Sequence, residues 1–495
     1  MRISFINPGD RRQVFQSLGI AVAAIEPPFW IAVLAAYLRN QGHEVAVVDA
    51  NAENLAPAET AGRVAAQNPH LAVIVVYGSQ PSASTQNMTA ALAIAAAIKE
   101  AAPAVHLAMG GLHPSALPAQ TLRESACDCV IDGEGPLTLT ALLAELAGGR
   151  PDWSRVPGLW WRDPQGPDGL RSTPRAPLIQ NLDDFLPVGA WDLLPMSLYR
   201  AHNWHCFDHL DRRQPYGAIY TSLGCPFNCV FCCINAPFGK PGIRYRSPGR
   251  VLDEMSLLAG TYGIYNLKIV DELFILKPEH YLPILQGIID RGLRLNMWVY
   301  ARVDTIRPEH LPLMKRAGVN WVALGIESAN PAVRDGASKN MRARDIKAVV
   351  RQIQDAGIRV IGNYIFGLPD DTLDTMRETL DLALELNCEF ANFYCAMAYP
   401  GSRLYALAVE QHWQLPDCWH AFSQHAYNTR PLPTRHLSAA EVLRFRDDAF
   451  HAYFSHPPYL AMVGEKFGAP VREHIADCAK TRLRRQLLEA PSAPC

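Results

Sequence analysis

Three cysteines carry the clearest chemistry in this sequence. Cys225, Cys229 and Cys232 fall within the run Thr221-Ser222-Leu223-Gly224-Cys225-Pro226-Phe227-Asn228-Cys229-Val230-Phe231-Cys232. Thiolates are the ligands that iron–sulfur clusters take. Three of them on one short loop can hold a [4Fe-4S] cube while one iron keeps an open position for a cofactor or substrate. Gly224 and Pro226 suit a loop that must wrap tightly around a bulky ligand. Zinc is the alternative, and a structural zinc wants a fourth protein ligand, for which Cys206 or His209 would serve. The spacing C-x3-C-x2-C is uncommon for zinc and favours the cluster. Cys233 follows directly, should point elsewhere, and reads as a buried neighbour.

The elements that must position this loop come next. The chain has 495 residues, which suggests two to four domains. Residues 1–146 alternate short apolar strands (Arg2–Asn7, Glu44–Asp49, Leu71–Tyr77, Val105–Met109, Cys129–Ile131) with helix candidates (Pro28–Gln41, Ser84–Ala101, Pro136–Leu146). This rhythm predicts an α/β, doubly wound, flavodoxin-like parallel sheet, whose ligands sit beyond the carboxyl ends of the strands. Residues 147–214 lose the rhythm and read as a linker with a little β structure. It returns over 215–411, where strands at 217–222, 266–270, 294–299, 320–325, 358–366 and 389–396 each precede a helix. Six βα units predict a partial (β/α)6 barrel with functional residues on the loops after the strands. Residues 412–495 read as a helical C-terminal domain (439–454, 458–467, 471–488) that caps the barrel opening.

Composition excludes several classes. The formal net charge of −2 offers no polyanion-binding surface, and the cluster Arg482, Arg484 and Arg485 reads as a solvated helix face. No secretory leader and no membrane-length apolar run is visible. None of the twelve cysteines precedes Cys127, and four crowd into 225–233. That distribution suits a metal site in a reducing cytosol, not a secreted disulfide framework. We therefore expect a cytoplasmic protein with no nucleic-acid or membrane partner.

The cysteine run, with Phe231 before its last cysteine and six βα units around it, resembles the radical S-adenosylmethionine (SAM) superfamily. The resemblance implies that SAM chelates the open iron and is cleaved to a 5′-deoxyadenosyl radical, with the cofactors carrying the chemistry and the protein positioning them. It implies SAM contacts from Phe231, from Asp271 or Glu272 after the second strand, from Glu327 and Ser328 after the fourth, and from Asn363 and Tyr399 on the fifth and after the sixth. Arg302 resembles a family arginine near SAM, with a salt bridge inside the barrel as its alternative. The α/β domain ahead of the barrel resembles the cobalamin-binding domain of cobalamin-dependent radical SAM enzymes. That likeness rests on Pro27-Pro28, Gly110-Gly111-Leu112-His113-Pro114 and Gly133-Glu134-Gly135. It implies corrin contacts from Gly110, Gly111, His113, Gly133, Glu134 and Gly135, and from Ser79 in Tyr77-Gly78-Ser79-Gln80-Pro81-Ser82. The Asp-x-His-x-x-Gly motif that supplies histidine to cobalt is absent, so His113 is expected to steady a loop or touch the nucleotide tail.

The resemblance implies a class B-like methyltransferase that uses methylcobalamin and a substrate radical to methylate an unactivated carbon, or phosphorus, of a small metabolite. A cobalamin-dependent cyclase, oxidase or ring-rearranging enzyme shares the same two domains, and a non-catalytic cobalamin carrier is a third reading. An electron donor such as flavodoxin or ferredoxin would be a partner. The substrate is expected between the barrel mouth and the corrin. The segment 201–211 would be one wall, with Trp204, His205 and His209 either touching substrate or packing in the core. Methylthiotransferases use N-terminal cysteines for a second cluster, and residues 1–126 have none.

Overall fold

The computed structural model describes residues 1–16, 22–78, 80–339 and 345–489. Its first sheet is built from parallel strands β1 (Arg2–Asn7), β2 (Glu44–Asp49), β3 (Leu71–Val76), β4 (His106–Gly111) and β5 (Cys129–Ile131). Every residue of β3 is buried, as expected of an apolar strand covered by helices on both faces. Two further strands, β6 (Leu159–Arg162) and β7 (Leu170–Ser172), run antiparallel and complete the order β2-β1-β3-β4-β5-β6-β7. They lie in the stretch read as linker. The little β structure expected there is this pair, and it joins the first sheet, where Trp160 pairs with Val130 and Trp161 with Cys129.

The barrel is an open sheet of six parallel strands, β8 (Tyr216–Ile219), β11 (Asn266–Ile269), β12 (Asn296–Arg302), β13 (Val319–Glu327), β14 (Arg359–Phe366) and β15 (Phe390–Cys395), adjacent in that order. Between β8 and β11 a small antiparallel ladder joins β9 (Ser222–Leu223) to β10 (Arg244–Tyr245) and frames the cysteine loop. Helices start where proline fixes the first turn, at Pro248 and Pro278.

The segment 201–211 closes the opposite end of the barrel. His205 Nε2 donates to the carbonyl of Asn296, the first residue of β12, at 2.9 Å, and Asn296 Nδ2 donates back to the His205 carbonyl at 3.0 Å. Cys206 and His209 therefore stand at the strand starts while Cys225 follows the strand ends. Neither can complete a zinc site. Trp204 packs edge-on against Trp298 and Trp321, yet together with His202 it also lines the large cavity described below.

The C-terminal region covers the open side of the sheet and not its mouth. Helix Ala439–Phe454 lies on the edge strand β15, where Arg446 Nε donates to the Phe393 carbonyl at 2.8 Å and Tyr453 donates to the Cys388 carbonyl at 2.6 Å. Helices Pro457–Phe467 and Ala469–Lys480 follow. Residues 411–438 are mostly irregular, and the helix expected over 471–488 ends at Lys480. Arg482 and Arg484 are exposed, but Arg485 is buried. Residues 418–425 bridge the two sheets: Gln424 exchanges hydrogen bonds with Cys395 backbone, and Ser423 donates to the Val14 carbonyl at 2.7 Å.

Two buried histidines give the fold a pH dependence. Burial pushes both His113 and His205 down to about 3. Each stays neutral when folded but protonates near pH 6.5 when unfolded, so the unfolded state takes up more protons as pH falls. Their stabilisation is complete above about pH 6.5 and declines progressively below it, toward pH 3. The expected loss approaches about 1.4 kcal/mol per histidine per pH unit. Urea midpoints at pH 7.5 and 5.5 check this. The His113→Gln, His205→Gln double variant should show a shallower pH slope than wild type, and an equal slope contradicts the assignment.

Candidate active site at the junction of the two sheets

The cysteine loop leaves β9 at Gly224, whose φ of +88° favours glycine and where any side chain would collide with the Gly242 carbonyl. Cys229 is buried, and Cys225 and Cys232 are half-buried. Burial pushes the Cys225 thiol up to about 12 and raises Cys229 and Cys232 as well. Neutral thiols are costly to ionise here unless a cation binds them, which is what cluster iron would provide. Among the described residues, no three His, Cys, Asp or Glu side chains converge on a point fit for a single ion. Yet the three side chains share one short loop of eight residues. Three thiols on one loop, with no ready set of ligands for a single ion among the described residues, suit a [4Fe-4S] cluster, which takes thiolate ligands, better than a lone zinc, which wants four protein ligands.

The loop is braced from behind. Arg302, at the end of β12, stacks on Phe227 at 4.0 Å and pairs with Asp304 at 2.9 Å. Its guanidinium thus lies against the cysteine loop, close enough to Cys229 to favour the thiolate there. Glu327 adopts φ +64°, an uncommon conformation for a non-glycine residue, and pairs with Lys339 at 2.7 Å with both side chains buried. Glu327 and Cys229 together outweigh burial and hold the Lys339 ammonium above its ordinary value. Ser328 is fully buried beside Thr379 at 3.2 Å and accepts from Asn330 N, a loop-fixing role away from the cavities.

Asp271 and Glu272, inseparable by sequence, have different positions. Asp271 is fully buried and accepts from Thr221 N, Thr221 Oγ1 and Ser222 Oγ, each at 2.5 Å. It pins the end of β11 to the chain entering the cysteine loop. Glu272 instead lines a cavity of about 180 Å³ with Phe231, Cys232, Cys233, Tyr300 and Tyr399. Burial lifts its carboxyl to about 8, with Lys268 pulling the other way. Cys233 is thus buried, as expected, but it also faces this cavity.

A second cavity, about 290 Å³, runs inside the barrel. Gln80, Tyr300, Tyr394, Tyr399 and Gln424 line both spaces, so the two adjoin. Asn363 lines the larger one, where it accepts from Asn392 at 2.9 Å. Gln80 comes from the first domain and donates to Tyr300 of β12 at 2.5 Å. A third cavity, about 120 Å³, opens at the ends of β1 and β3, between Asn7, Trp30, Tyr77, Gly78 and Tyr220. The rings of Trp30 and Tyr77 stack there at 4.7 Å.

The residues expected to meet a corrin sit beside this third cavity and do not line it. Gly110 and Gly111 end β4, and a side chain on Gly111 would collide with the Val76 carbonyl. The loop that follows faces the cysteine loop, with Leu112 in one apolar cluster with Cys233, Tyr77 and Cys225. His113 is fully buried between Thr85, 3.2 Å from its Nδ1, and the Trp419 ring at 4.5 Å. It steadies the loop, one of the two roles expected. Gly133 and Gly135 follow β5, and Gly133 N donates to Ser115 Oγ at 3.0 Å. Glu134 is committed elsewhere: it accepts from Arg244 of β10 at 2.5 Å and from Ile179 N at 3.0 Å. It clamps the domains together. Ser79 lies outside the described residues.

Sequence reasoning missed Gln80, Tyr300, Lys339 and the buried pair Glu26–Lys268 at 3.1 Å. Only Lys268, a charge in an apolar strand, gave a local signal.

Comparison with known proteins fits this arrangement. Residues 16–143 match the B12 binding domain model and residues 219–383 the Radical SAM superfamily model. An uncharacterized methyltransferase of Pyrococcus horikoshii is 31% identical over 442 residues, covering 89% of this chain and 90% of that protein. The anaerobic magnesium-protoporphyrin IX monomethyl ester cyclase of Rubrivivax gelatinosus is 27% identical over 492 residues, covering 98% of this chain and 82% of that one. The radical SAM methyltransferase TsrM of Kitasatospora setae, solved with cobalamin and a [4Fe-4S] cluster, shares the fold at TM-score 0.65 and 22% identity, covering 83% of this chain and 75% of that one. With a B12-binding sheet, a radical SAM half-barrel and a cysteine loop at their junction, the chain belongs to the cobalamin-dependent radical SAM enzymes.

Proposed function

We propose that this enzyme is a methyltransferase that places a methyl group on an unactivated carbon, or on phosphorus, of a small biosynthetic metabolite. The observation that carries the reading is the adjoining pair of cavities. Gln80 of the cobalamin-binding domain, Glu272 and Tyr300 of the barrel, and Cys232 of the cysteine loop all line one space. When bound, the cluster and SAM supply a deoxyadenosyl radical, and cobalamin supplies a methyl group.

The chain's own residues would bind, orient and shield. Cys225, Cys229 and Cys232 would hold the cluster, with Arg302 and Phe227 keeping their loop in place. Glu272 would receive the amino group of SAM, because it lines the cavity beside Cys232, and a bound cation would draw its raised carboxyl back to the charged form. Phe231 and Tyr399 would enclose the same cofactor. The Trp30–Tyr77 stack and the glycine-bearing loops after β4 and β5 would border the corrin. The reductant would be an external one-electron carrier of the flavodoxin or ferredoxin class, which suits a cytoplasmic enzyme. Among the described residues no helix is long and apolar enough to cross a membrane.

A second reading, a cobalamin-dependent cyclase, is favoured by the likeness to the Rubrivivax protein over 98% of this chain. Both are tested by anaerobic incubation of reconstituted holoenzyme with methyl-labelled SAM and a protein-free metabolite extract. Methyl transfer predicts one labelled product by mass spectrometry. Deoxyadenosine formed alongside an unlabelled, oxidised product supports the cyclase and overturns the methyltransferase.

A further inference from the structure

The cavity inside the barrel, the larger of the two that adjoin at Tyr300, has aromatic walls, including Trp204, Trp298 and Phe390, and its lining includes Arg446. Arg446 lies on helix Ala439–Phe454 and is 6% exposed. It donates to the Phe393 carbonyl and, at 2.7 Å, to Asp447. That carboxylate is shared: Arg485, 3% exposed, grips both its oxygens at 2.8 and 2.9 Å. Two buried guanidinium groups thus face a single carboxylate.

On the barrel side, the other groups packed around Arg446 add no negative charge. His425, Tyr394 and Cys395 are neutral at physiological pH. Among the described residues no Asp or Glu lines the larger cavity. A buried cation in excess is costly unless an anion joins it. A further cavity of about 320 Å³ adjoins the first through His425, Arg446 and Phe450. Its lining carries Arg444, Arg482, Arg484 and Arg485 beside Arg446, against the three carboxylates Asp447, Asp448 and Glu489.

We propose that Arg446 binds an anionic group, a carboxylate or a phosphate, on a substrate with an aromatic or otherwise apolar body, and that this substrate enters through the arginine-lined vestibule. The inference rests on the proposed function only in taking the larger cavity as the substrate's seat. The vestibule attracts anions at its rim. Arg446 then holds the anion with a planar donor pair at the inner end, while the aromatic walls bury the apolar body beside the smaller cavity.

The test is anaerobic equilibrium dialysis of the holoenzyme with 1-naphthoate, 1-naphthyl phosphate and the neutral 1-naphthamide. A charge-assisted contact predicts that at least one anion binds about tenfold more tightly than the amide, and the preferred anion distinguishes carboxylate from phosphate. Arg446→Gln should shrink the preference to about twofold or less, whereas Arg446→Lys, which keeps the charge but loses the planar donor pair, should fall between the two. Equal affinity for all three, no binding at millimolar concentration, or an unchanged preference in Arg446→Gln overturns the proposal. The wild-type comparison needs no variant, so a folding defect in Arg446→Gln leaves the test intact. Binding is read without turnover, so failure of methyl transfer and failure of anion recognition are separate results.

Discussion

Replacing Cys225, Cys229 and Cys232 together by alanine is expected to abolish 5′-deoxyadenosine formation while leaving cobalamin bound. The three thiols are the only cysteines on the loop between β9 and β10 besides Cys233, and they are the iron ligands proposed here, thiolates being what such clusters take. Removing them should cost little folding energy. Cys225 and Cys232 are half-buried, and the loop is held by Asp271 on one side and by the Arg302–Phe227 stack on the other. The first sheet keeps its own buried core, including Ile6, Val48, Ile74, Val76 and Met109, none of which touches the loop. The measurement pairs deoxyadenosine quantification with the cobalamin content of the purified variant. Persistent deoxyadenosine would mean that the cluster is held elsewhere. Loss of cobalamin as well would mean that the loop shapes the corrin site.

The largest expected effect on stability comes from Glu254→Ala. The Glu254 and Arg246 side chains are both 0% exposed and pair at 2.6 Å. Glu254 also accepts from Gly189 N at 2.9 Å and Trp191 Nε1 at 3.0 Å, so one carboxylate joins the chain between the sheets to a barrel helix. Its removal strands a buried guanidinium whose Nε and Nη2 already lack partners among the described residues. It also orphans two N–H donors. Breaking one side of a buried pair typically costs about 3–5 kcal/mol. The denaturant midpoint of the barrel transition measures this, since a multidomain chain need not unfold in one step. A loss below about 1 kcal/mol would fall in the range of surface ion pairs and would contradict the accounting.

Features encoded locally were readable from the sequence. The cysteine loop was legible because its ligands are close together along the chain. The strands were legible because buried parallel strands write apolar runs such as Leu71–Val76. Partners brought together from afar were not. Gln80 meets Tyr300 across 220 residues, and no pattern in either segment announces the other. Glu134 looked available to a ligand until Arg244 claimed it, and Arg485 looked solvated until Asp447 did. Asp271 and Glu272 are set apart by Thr221 and Ser222, which lie about fifty residues earlier at the entry to the cysteine loop and hydrogen-bond to Asp271. Some β structure was expected between the domains, but not where it would pair, because strands of three or four residues such as β6 and β7 carry almost no periodicity.

In the proposed reaction the cobalamin-binding sheet and the radical half-barrel work on one substrate in adjoining cavities. The most direct test quantifies S-adenosylhomocysteine, deoxyadenosine and labelled product in the same anaerobic incubation, with and without cobalamin. The account predicts that S-adenosylhomocysteine and labelled product form together and only with cobalamin, with deoxyadenosine released alongside. Deoxyadenosine with no label in any product, or a labelled product that forms equally well without cobalamin, would contradict it.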